Sequence, residues 1–560
     1  MPKCALLAIL LVTTMATGQT AQNDAHQRFA ALRDAYLAKF KPLFLESETA
    51  WWEANITGAD AAYARKTAAD QALVDLHSDH AVFAQLKELK EAGGVTDPTL
   101  RRELDVVYRS FLAGQADPQL QKQIVALEND VEQIFNTHRS PVGDKILTEN
   151  EVRDILANST KSADVEAAWK GYMEVGRKAD EKLRRLVQLR NEKARQLGFP
   201  DFFTLSLALQ EIDQAELFKL FDELDALTRE PFAQLKADLD KERAARFGIP
   251  VAELRPWHFG DLFFQEAPAS TEVDLDGLFK DADLLALSKT YYASIGLPAN
   301  DILARSDLYE KPGKCPHAFC SDLDRAGDIR VLANLQPNIY WANTILHELG
   351  HGVYDKYIHP DVPFLLRTAS HGITTEGIAE LFGALVKNEE WLQQVLGLDA
   401  DTVARIGPAV RKSLRTERLM FSRWAQVMLR FEQGMYTKPD QDLGRLWWDL
   451  KQRYQLLSPP ESVARPDYAA KVHVLTTPVY YHNYMMGELF AAQVRHALAR
   501  EVGGKLDAQR TSFYDHPQVG AFLRDKVFGP GNLYAWHDLT QRATGEPLTA
   551  RYFAADLAAK

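Results

Sequence analysis

The chain contains 560 residues, carries a formal net charge of −12 at pH 7 and has three cysteines. An acidic balance of this size argues against a nucleic-acid partner, and so few cysteines exclude a disulfide-built scaffold. Beyond the N-terminus, no segment comes near the ~18 consecutive apolar residues of a transmembrane helix.

The first 18 residues have the pattern of a secretory signal peptide. Lys3 supplies the positive end, residues 5–12 form a short apolar core, and Ala16-Thr17-Gly18 is a small-residue cleavage site. The apolar core is too short to span a bilayer. We therefore expect removal of residues 1–18, which leaves residues 19–560 as a single domain of net charge −13. This mature chain would be secreted or periplasmic, without a membrane anchor.

Helical periodicity dominates the remaining sequence. Residues 24–246 are rich in helix-forming residues, with apolar positions at helical spacing. Within that region Thr148, followed three residues later by Glu151, is a capping-box pattern. Residues 328–335 alternate as in a β-strand, and residues 339–357 are helix-compatible again. The sequence predicts a mainly α fold, one large helical domain with a small β element near the candidate site.

The central motif is His347-Glu348-Leu349-Gly350-His351, within the helical segment 339–357. Histidines four residues apart lie on one helix face, so two imidazoles can converge on one Zn²⁺. The intervening Glu348 then points near the open position of the metal, where it can take a proton from water. Asn338 is placed to cap this helix, and Gly350 would let another segment approach the metal closely.

A catalytic zinc site has three protein ligands and one open position. The metzincin spacing fails, because Tyr354 and Tyr357 stand where its glycine and third histidine belong. Glu376 and Glu380 share a face of an apolar helical segment, where they would repel each other without a nearby cation. We favour Glu376 as the ligand and Glu380 as the carboxylate that orients a ligand histidine. Two solvated glutamates, or His371 as the third ligand, are the alternatives.

Two cysteines, Cys315 and Cys320, remain once the leader with Cys4 is removed. They can close one short loop or stay as thiols, and the sequence favours neither state. A metal knuckle would need two further ligands close by, and no convincing pair stands near them.

The order of these motifs resembles the peptidyl-dipeptidase A family, the family of angiotensin-converting enzyme. The resemblance covers most of the chain after the leader and is carried mainly by five stretches, His347–His351, Glu376–Glu380, Trp447–Pro460, Ala470–His473 and Pro316–Ala318. It implies a nearly all-helical ellipsoid whose two lobes flank a deep central cleft with one Zn²⁺ at its floor. It also implies release of C-terminal dipeptides from oligopeptides.

The resemblance assigns catalytic roles to three residues. Glu348 would be the general base and later the general acid. His473 and Tyr484 resemble the pair that stabilises the oxyanion, by donating hydrogen bonds to charge that develops in the transition state. The match at Tyr484 requires one inserted residue between positions 474 and 480.

The resemblance also assigns substrate-binding residues. Lys471 and Tyr481 resemble the residues that hold the terminal carboxylate of the peptide, a role that suits an ammonium and a phenol. His317 and Ala318 would bind the substrate backbone as an added strand. The family glutamine that completes the carboxylate grip is expected within residues 257–259, where none stands. Either His258 replaces it or the grip is weaker.

Chloride sites of the family are incompletely matched. Arg177 and Trp447 resemble part of the first site, where Lys451 replaces an arginine. Asn483 replaces the arginine that precedes the oxyanion tyrosine. Arg177, Trp447 and Lys451 therefore form only a candidate chloride site, and we do not expect chloride activation.

The sequence predicts a zinc peptidyl-dipeptidase that acts on oligopeptides. One alternative is a zinc oligopeptidase of broader specificity that cleaves internal bonds of short peptides. An alternative of another class is an inactive, peptide-binding scaffold. The intact set of His347, Glu348, His351 and Glu376 argues against that last reading.

Overall fold

The computed structural model describes residues 5–267, 274–502 and 506–558, with side chains from residue 23 onward. Its first twelve α-helices are α1 Ala5–Thr57, α2 Asp60–His77, α3 His80–Ala92, α4 Pro98–Ala113, α5 Pro118–Thr137, α6 Glu149–Asn158, α7 Ser162–Gln196, α8 Phe202–Leu209, α9 Gln214–Phe247, α10 Leu275–Phe279, α11 Leu284–Ser294 and α12 Asn300–Arg305. The later helices are α13 Ile339–Lys356, α14 Gly372–Gly383, α15 Glu389–Gln394, α16 Ala400–Thr437, α17 Leu443–Gln455, α18 Val472–Thr476, α19 His482–Val502, α20 Pro517–Leu523, α21 Trp536–Thr544 and α22 Arg551–Ala558.

Two antiparallel hairpins complete the described elements, β1 Ser140–Val142 with β2 Lys145–Leu147, and β3 Phe319–Asp322 with β4 Ile329–Leu332. The prediction of a mainly α fold is confirmed. The strand predicted over residues 328–335 is shorter: it ends at Leu332, which also forms an isolated parallel bridge with Asp307. The first hairpin lies where the sequence indicated only a break between helices.

Helix starts follow the local chemistry of the sequence. The Asn338 side chain accepts a hydrogen bond from the backbone N–H of Trp341 and caps α13, as predicted. Thr148 and Glu151 form the predicted capping box at the start of α6. These side chains satisfy backbone donors that have no partner within the helix, so both helices begin where the sequence indicates.

The metal-motif helix α13 lies within the main hydrophobic core. Leu346, Leu349 and Val353 on this helix are fully buried, and the core cluster to which they belong includes residues from Leu120 to Leu557. Helix α13 packs along α14 and against both strands of the second hairpin. The core therefore holds the motif rigidly between a helix and a β-hairpin.

Gly350 allows the two central helices to touch. A Cβ atom at Gly350 would lie 2.8 Å from the Cα atom of Ala379 on α14, closer than real Cβ contacts allow. Because a side chain of any size would separate the helices, glycine is needed here. This close approach brings Glu376 of α14 opposite the motif histidines of α13.

The predicted signal peptide, residues 1–18, lies largely outside the described part of the chain. Residues 1–4, and the side chains as far as residue 22, lie outside the described part of the chain. Among the residues that are described, no helix is long and apolar enough to cross a membrane. Cys315 and Cys320 are both free thiols.

Replacing Gly350 with alanine tests the close contact of α13 and α14. Alanine is favoured over glycine within a helix by about 1 kcal/mol. Its Cβ atom would, however, clash with the backbone of Ala379, and such overpacking should lower the free energy of unfolding by about 1–3 kcal/mol. We expect Gly350→Ala to lower the melting temperature and weaken zinc binding, both measured on the purified protein.

The matched control is Gly352→Ala on the same helix. A Cβ atom there would meet the tip of the Ile302 side chain at 3.1 Å and Cys320 Sγ at 3.4 Å, contacts that side-chain motion can relieve. We expect this variant to keep its zinc and its melting temperature. Equal losses in both variants would contradict a special role for the contact at Gly350.

Candidate active site

His347, His351 and Glu376 converge as a group that could hold a metal ion. Their candidate ligand atoms all lie within 4.8 Å of one another. Nε2 of His347 lies 3.6 Å, and Nε2 of His351 3.9 Å, from Oε2 of Glu376. The helical spacing of the histidines aims both Nε2 atoms at one point, and α14 supplies the carboxylate from the opposite side. His371 instead caps α14 through its Nδ1 atom.

The remaining nitrogen of each histidine faces a side-chain oxygen of α14. Nδ1 of His347 lies 3.7 Å from Oε1 of Glu380, and Nδ1 of His351 lies 2.6 Å from Oγ1 of Thr375. With its Nε2 lone pair directed at the cluster, the His351 ring donates its Nδ1–H to the threonine hydroxyl. Such partners fix the tautomer and the ring orientation of metal-binding histidines. No pattern in the sequence marks Thr375 for this contact.

The electrostatics of the cluster suit a divalent cation. Burial lowers the pKa of His347 to about 4 and that of His351 to about 3, so both rings are neutral and keep a lone pair for a metal. Burial raises the pKa of Glu376, and also that of Glu380, where Glu488 adds to the effect. Two neutral imidazoles and one carboxylate are the donor set of catalytic Zn²⁺.

Glu348 lies on the same helix and is 8% exposed. Burial, and next the charge of Glu376, raise the pKa of its carboxyl to about 8, while the backbone N–H of Cys320 on β3 acts in the opposite direction. A cation held by the neighbouring ligands would favour the ionised form. Glu348 is thus a buried acid–base group placed between the candidate metal ligands and the edge of the β-hairpin.

A cavity of about 550 Å³ lies beside the cluster and is lined in part by Glu376, Glu380, His473, Tyr481 and Tyr484. The His473 ring lies 5.0 Å from the Tyr481 ring and 6.0 Å from the Tyr484 ring, centroid to centroid. Residues separated by about a hundred positions in sequence therefore share one cavity. Nδ1 of His473 is buried without a hydrogen-bond partner among the described residues.

Lys471 reaches the same region from beneath Tyr481. Its side chain is 5% exposed, and its ammonium donates a hydrogen bond of 2.6 Å to the amide oxygen of Gln265. Because this acceptor is neutral, the charge of Lys471 remains available to a carboxylate. Burial lowers the pKa of Lys471 to about 8, while the charges of Asp261, Glu266 and Glu149 act in the opposite direction; an ammonium buried in this way is costly to hold.

Gln265, and not His258, lines the cavity. His258 is 2% exposed, its Nε2 lies 2.8 Å from Ser162 Oγ, and its Nδ1 accepts from the backbone of Arg255. It does not line the cavity, whereas Gln265 does. The glutamine was missed because the irregular turn before it has no periodic pattern from which a register could be read.

His317 and Ala318 immediately precede strand β3 and do not line this cavity. His317 is exposed and Ala318 is partly buried. In the described part of the chain β3 pairs only with β4, and its Cys320 N–H faces Glu348. The strand therefore runs beside the acid–base group, with its opposite edge unpaired by another strand.

Of the three candidate chloride residues, Trp447 and Lys451 are neighbours, whereas Arg177 lies at the surface. The side chain of Arg177 is 73% exposed and pairs with Glu174. Trp447 and Lys451 are buried, at 1% and 2% exposure. The ammonium of Lys451 donates to the carbonyl oxygen of Phe263 and to Oε1 of Gln455. A shared anion site for these three residues does not fit this arrangement.

Replacing Thr375 with valine tests the orientation of His351. Valine keeps the shape of the side chain and removes the hydroxyl that accepts the Nδ1–H of His351. Loss of such a partner typically weakens metal binding by about 10–100-fold. We expect Thr375→Val to lower zinc affinity in a competition titration, with an unchanged melting temperature of the metal-free protein. An unchanged zinc affinity would contradict the assigned orientation.

Comparisons with known proteins agree with this geometry. A family model described as angiotensin-converting enzyme matches residues 22–553. Angiotensin-converting enzyme of Oryctolagus cuniculus is 24% identical over 578 residues, which cover 95% of this chain and 42% of that protein. The Rattus norvegicus enzyme is also 24% identical, over 94% of this chain and 42% of its own length. The enzyme of Theromyzon tessulatum is 23% identical, over 81% of this chain and 79% of its own.

The chain spans less than half the length of the two mammalian relatives and most of the length of the third. The family match covers nearly all of the described residues and includes the histidine–glutamate cluster, most of the residues that line the cavity, and Lys471. This chain therefore belongs to the angiotensin-converting enzyme family of metallopeptidases.

Proposed function

We propose that this chain is a zinc-dependent peptidyl-dipeptidase that removes dipeptides from the C-terminus of oligopeptides. The observation that carries the proposal is the buried ammonium of Lys471. Among the described residues it donates its hydrogen bond to the neutral amide of Gln265, and Gln265 lines the same cavity as the candidate metal ligand Glu376. A cationic subsite at a fixed distance from the metal suits a free C-terminal carboxylate. That distance would set the number of residues released.

His347, His351 and Glu376 would hold the metal, with Glu380 and Thr375 orienting the two rings. Zn²⁺ at this position supplies Lewis acidity toward a water and toward the scissile carbonyl. Glu348 takes a proton from the attacking water and gives it to the leaving amine. Its burial limits competing bulk water around the proton transfer.

His473 and Tyr484 would donate hydrogen bonds to the oxyanion. Both line the cavity, and burial lowers the pKa of His473 to about 4, so its ring is neutral and donates one N–H. The Tyr484 phenol keeps its proton because burial raises its pKa. Donors held in place before the reaction stabilise the negative charge that develops in the transition state.

Lys471, Tyr481 and Gln265 would bind the terminal carboxylate of the peptide. The ring of Tyr481 lies 5.6 Å from Nζ of Lys471, and the amide of Gln265 contacts the same ammonium. The backbone of His317 and Ala318, directly before β3, would bind the substrate chain as an added strand. The substrate would thus be held at its end and along its backbone.

The pattern of the first 18 residues also supports an exported protein. We propose that residues 1–18 are a signal peptide and that residues 19–560 form one catalytic domain, with two lobes flanking the cleft. N-terminal sequencing of the protein recovered outside the cell, or from the periplasm, tests the cleavage position.

Glu348→Gln tests the acid–base role. The glutamine keeps the size of the side chain but accepts no proton, so turnover should fall by at least about 10²–10⁴-fold. The measurement is hydrolysis of a free-C-terminus peptide together with the zinc content of the same sample. Zinc content should stay near that of the parent protein, and retained turnover in a zinc-loaded variant would contradict the proposed role.

Two peptides of one sequence, one with a free C-terminus and one C-terminally amidated, test the release of dipeptides. A peptidyl-dipeptidase binds the free carboxylate through Lys471, so the free peptide should be cleaved at its penultimate bond and the amide far more slowly. Mass spectrometry of the products identifies the bond. Equal cleavage at internal bonds of both peptides would favour the broader oligopeptidase, and no cleavage by the zinc-loaded protein would favour a binding scaffold.

Lys471→Met provides the matched variant. Methionine fills the same volume without charge, so the preference for the free peptide over the amide should fall toward one while the zinc content is unchanged. A preference that survives this substitution would place the carboxylate elsewhere in the cavity.

A further inference from the structure

Gln265 is presented by an irregular turn of residues 261–265 that has no regular secondary structure. Within it Phe264 adopts a φ of 56°, in the left-handed region that a bulky residue rarely occupies. Such a conformation persists only where the surroundings hold it in place, and it is frequent beside functional groups. The contacts that hold this turn therefore determine where the amide of Gln265 lies.

Helix α17 holds the carbonyl side of the turn. The ammonium of Lys451 donates to the carbonyl oxygen of Phe263 at 2.8 Å. The side-chain amide of Gln455, one helical turn later, donates to the carbonyl oxygens of Phe264 at 2.6 Å and of Phe263 at 3.3 Å. Lys451 also donates to Oε1 of Gln455 at 2.7 Å, so the two side chains act as one clamp.

Asp261 holds the N–H side of the same turn. Its Oδ2 atom accepts hydrogen bonds from the backbone N–H groups of Phe263 and Gln265, at 3.0 and 2.9 Å. Backbone donors and acceptors on both sides of Phe264 are thus occupied by buried side chains. The Gln265 side chain lines the cavity. Its oxygen accepts a hydrogen bond from the ammonium of Lys471, and its amide nitrogen donates to Oε1 of Glu266 at 3.2 Å.

Burying the ammonium of Lys451 carries a desolvation cost, which indicates that the charge has a role at this position. The residue is 2% exposed, and its ammonium lies 5.0, 5.5 and 5.8 Å from the ring centroids of Trp424, Trp447 and Trp448. Both of its hydrogen-bond acceptors are neutral oxygens rather than carboxylates. An aliphatic side chain of similar length would pack among three indole rings without the desolvation cost.

We propose that Lys451 and Gln455 are positioning residues, which hold the Phe263–Gln265 backbone and thereby set the geometry of the subsite for the peptide C-terminus. They touch neither substrate nor metal, and they act through Gln265 on Lys471. The inference rests on the proposed peptidyl-dipeptidase function. In it, the clamp determines how strongly the protein prefers a peptide with a free C-terminus over its amide.

The experiment measures kcat and KM of Lys451→Met on a free peptide and on its C-terminal amide. With the turn released, Gln265 moves from Lys471, so KM for the free peptide should rise about tenfold and kcat should change less than about threefold. Kinetics on the amide should be unchanged, because it does not use the carboxylate subsite. The ratio of kcat/KM for the free peptide to that for the amide then falls about tenfold.

A second variant and a control separate positioning from general stability. Gln455→Glu keeps the acceptor for Lys451 and removes the donors to the Phe263 and Phe264 carbonyls, so it should lower the same ratio. Lys193→Met is the matched control, a partly buried lysine that hydrogen-bonds Gln121 between α5 and α7. It should leave the ratio, KM and kcat of the parent protein unchanged.

The outcomes distinguish this inference from the proposed function. If the parent protein does not prefer the free peptide, the proposed function fails. A second result overturns the clamp and leaves the proposed function standing. In it, the parent protein prefers the free peptide and Lys471→Met abolishes this preference, whereas Lys451→Met and Gln455→Glu, both folded and zinc-loaded, retain it. Failure of both clamp variants to fold would also overturn it, by showing a purely structural role.

Discussion

The contact between α13 and α14 is the constraint on which the site depends. At Gly350 the two helix backbones approach so closely that a Cβ atom would lie 2.8 Å from Ala379 Cα. At this separation the Glu376 side chain reaches both motif histidines, with Oε2 at 3.6 and 3.9 Å from their Nε2 atoms. A wider spacing would leave the carboxylate short of the imidazoles, and the cluster would lose its third donor. The backbone packing therefore creates the metal-binding geometry.

The site also contains several ionisable groups that are buried or partly buried. Glu348, Glu376 and Glu380 have raised pKa values because they lie in a poorly solvated interior, and Lys471 has a lowered one for the same reason. Each group is costly in the protein alone and becomes favourable when an opposite charge is supplied. A divalent cation at the cluster and a peptide carboxylate at Lys471 would supply those charges. The site is thus prepared electrostatically for the two species that the proposed reaction brings together.

Residues far apart in sequence shape the wall of the cavity through contacts with the main chain. Lys451 and Gln455 reach the turn before Gln265 across nearly two hundred positions, and Gln265 in turn reaches Lys471. The chain shows no regular element at this turn, only buried side chains that occupy its donors and acceptors. The position of the turn is therefore set by side-chain hydrogen bonds. Single substitutions of these side chains could move the turn without unfolding the protein.

Local chemistry in the sequence determined the elements and the metal motif. Asn338 caps α13, Thr148 and Glu151 form their capping box, and His347 and His351 share a helix face, because each depends on neighbours within one helical turn. Only the tertiary structure identified Thr375 as the partner of His351, Gln265 as the cavity glutamine in place of His258, and the separation of Arg177 from Lys451. These relations join distant segments through irregular turns and close backbone contacts. No short-range periodicity encodes them, since they arise only when the core brings the segments together.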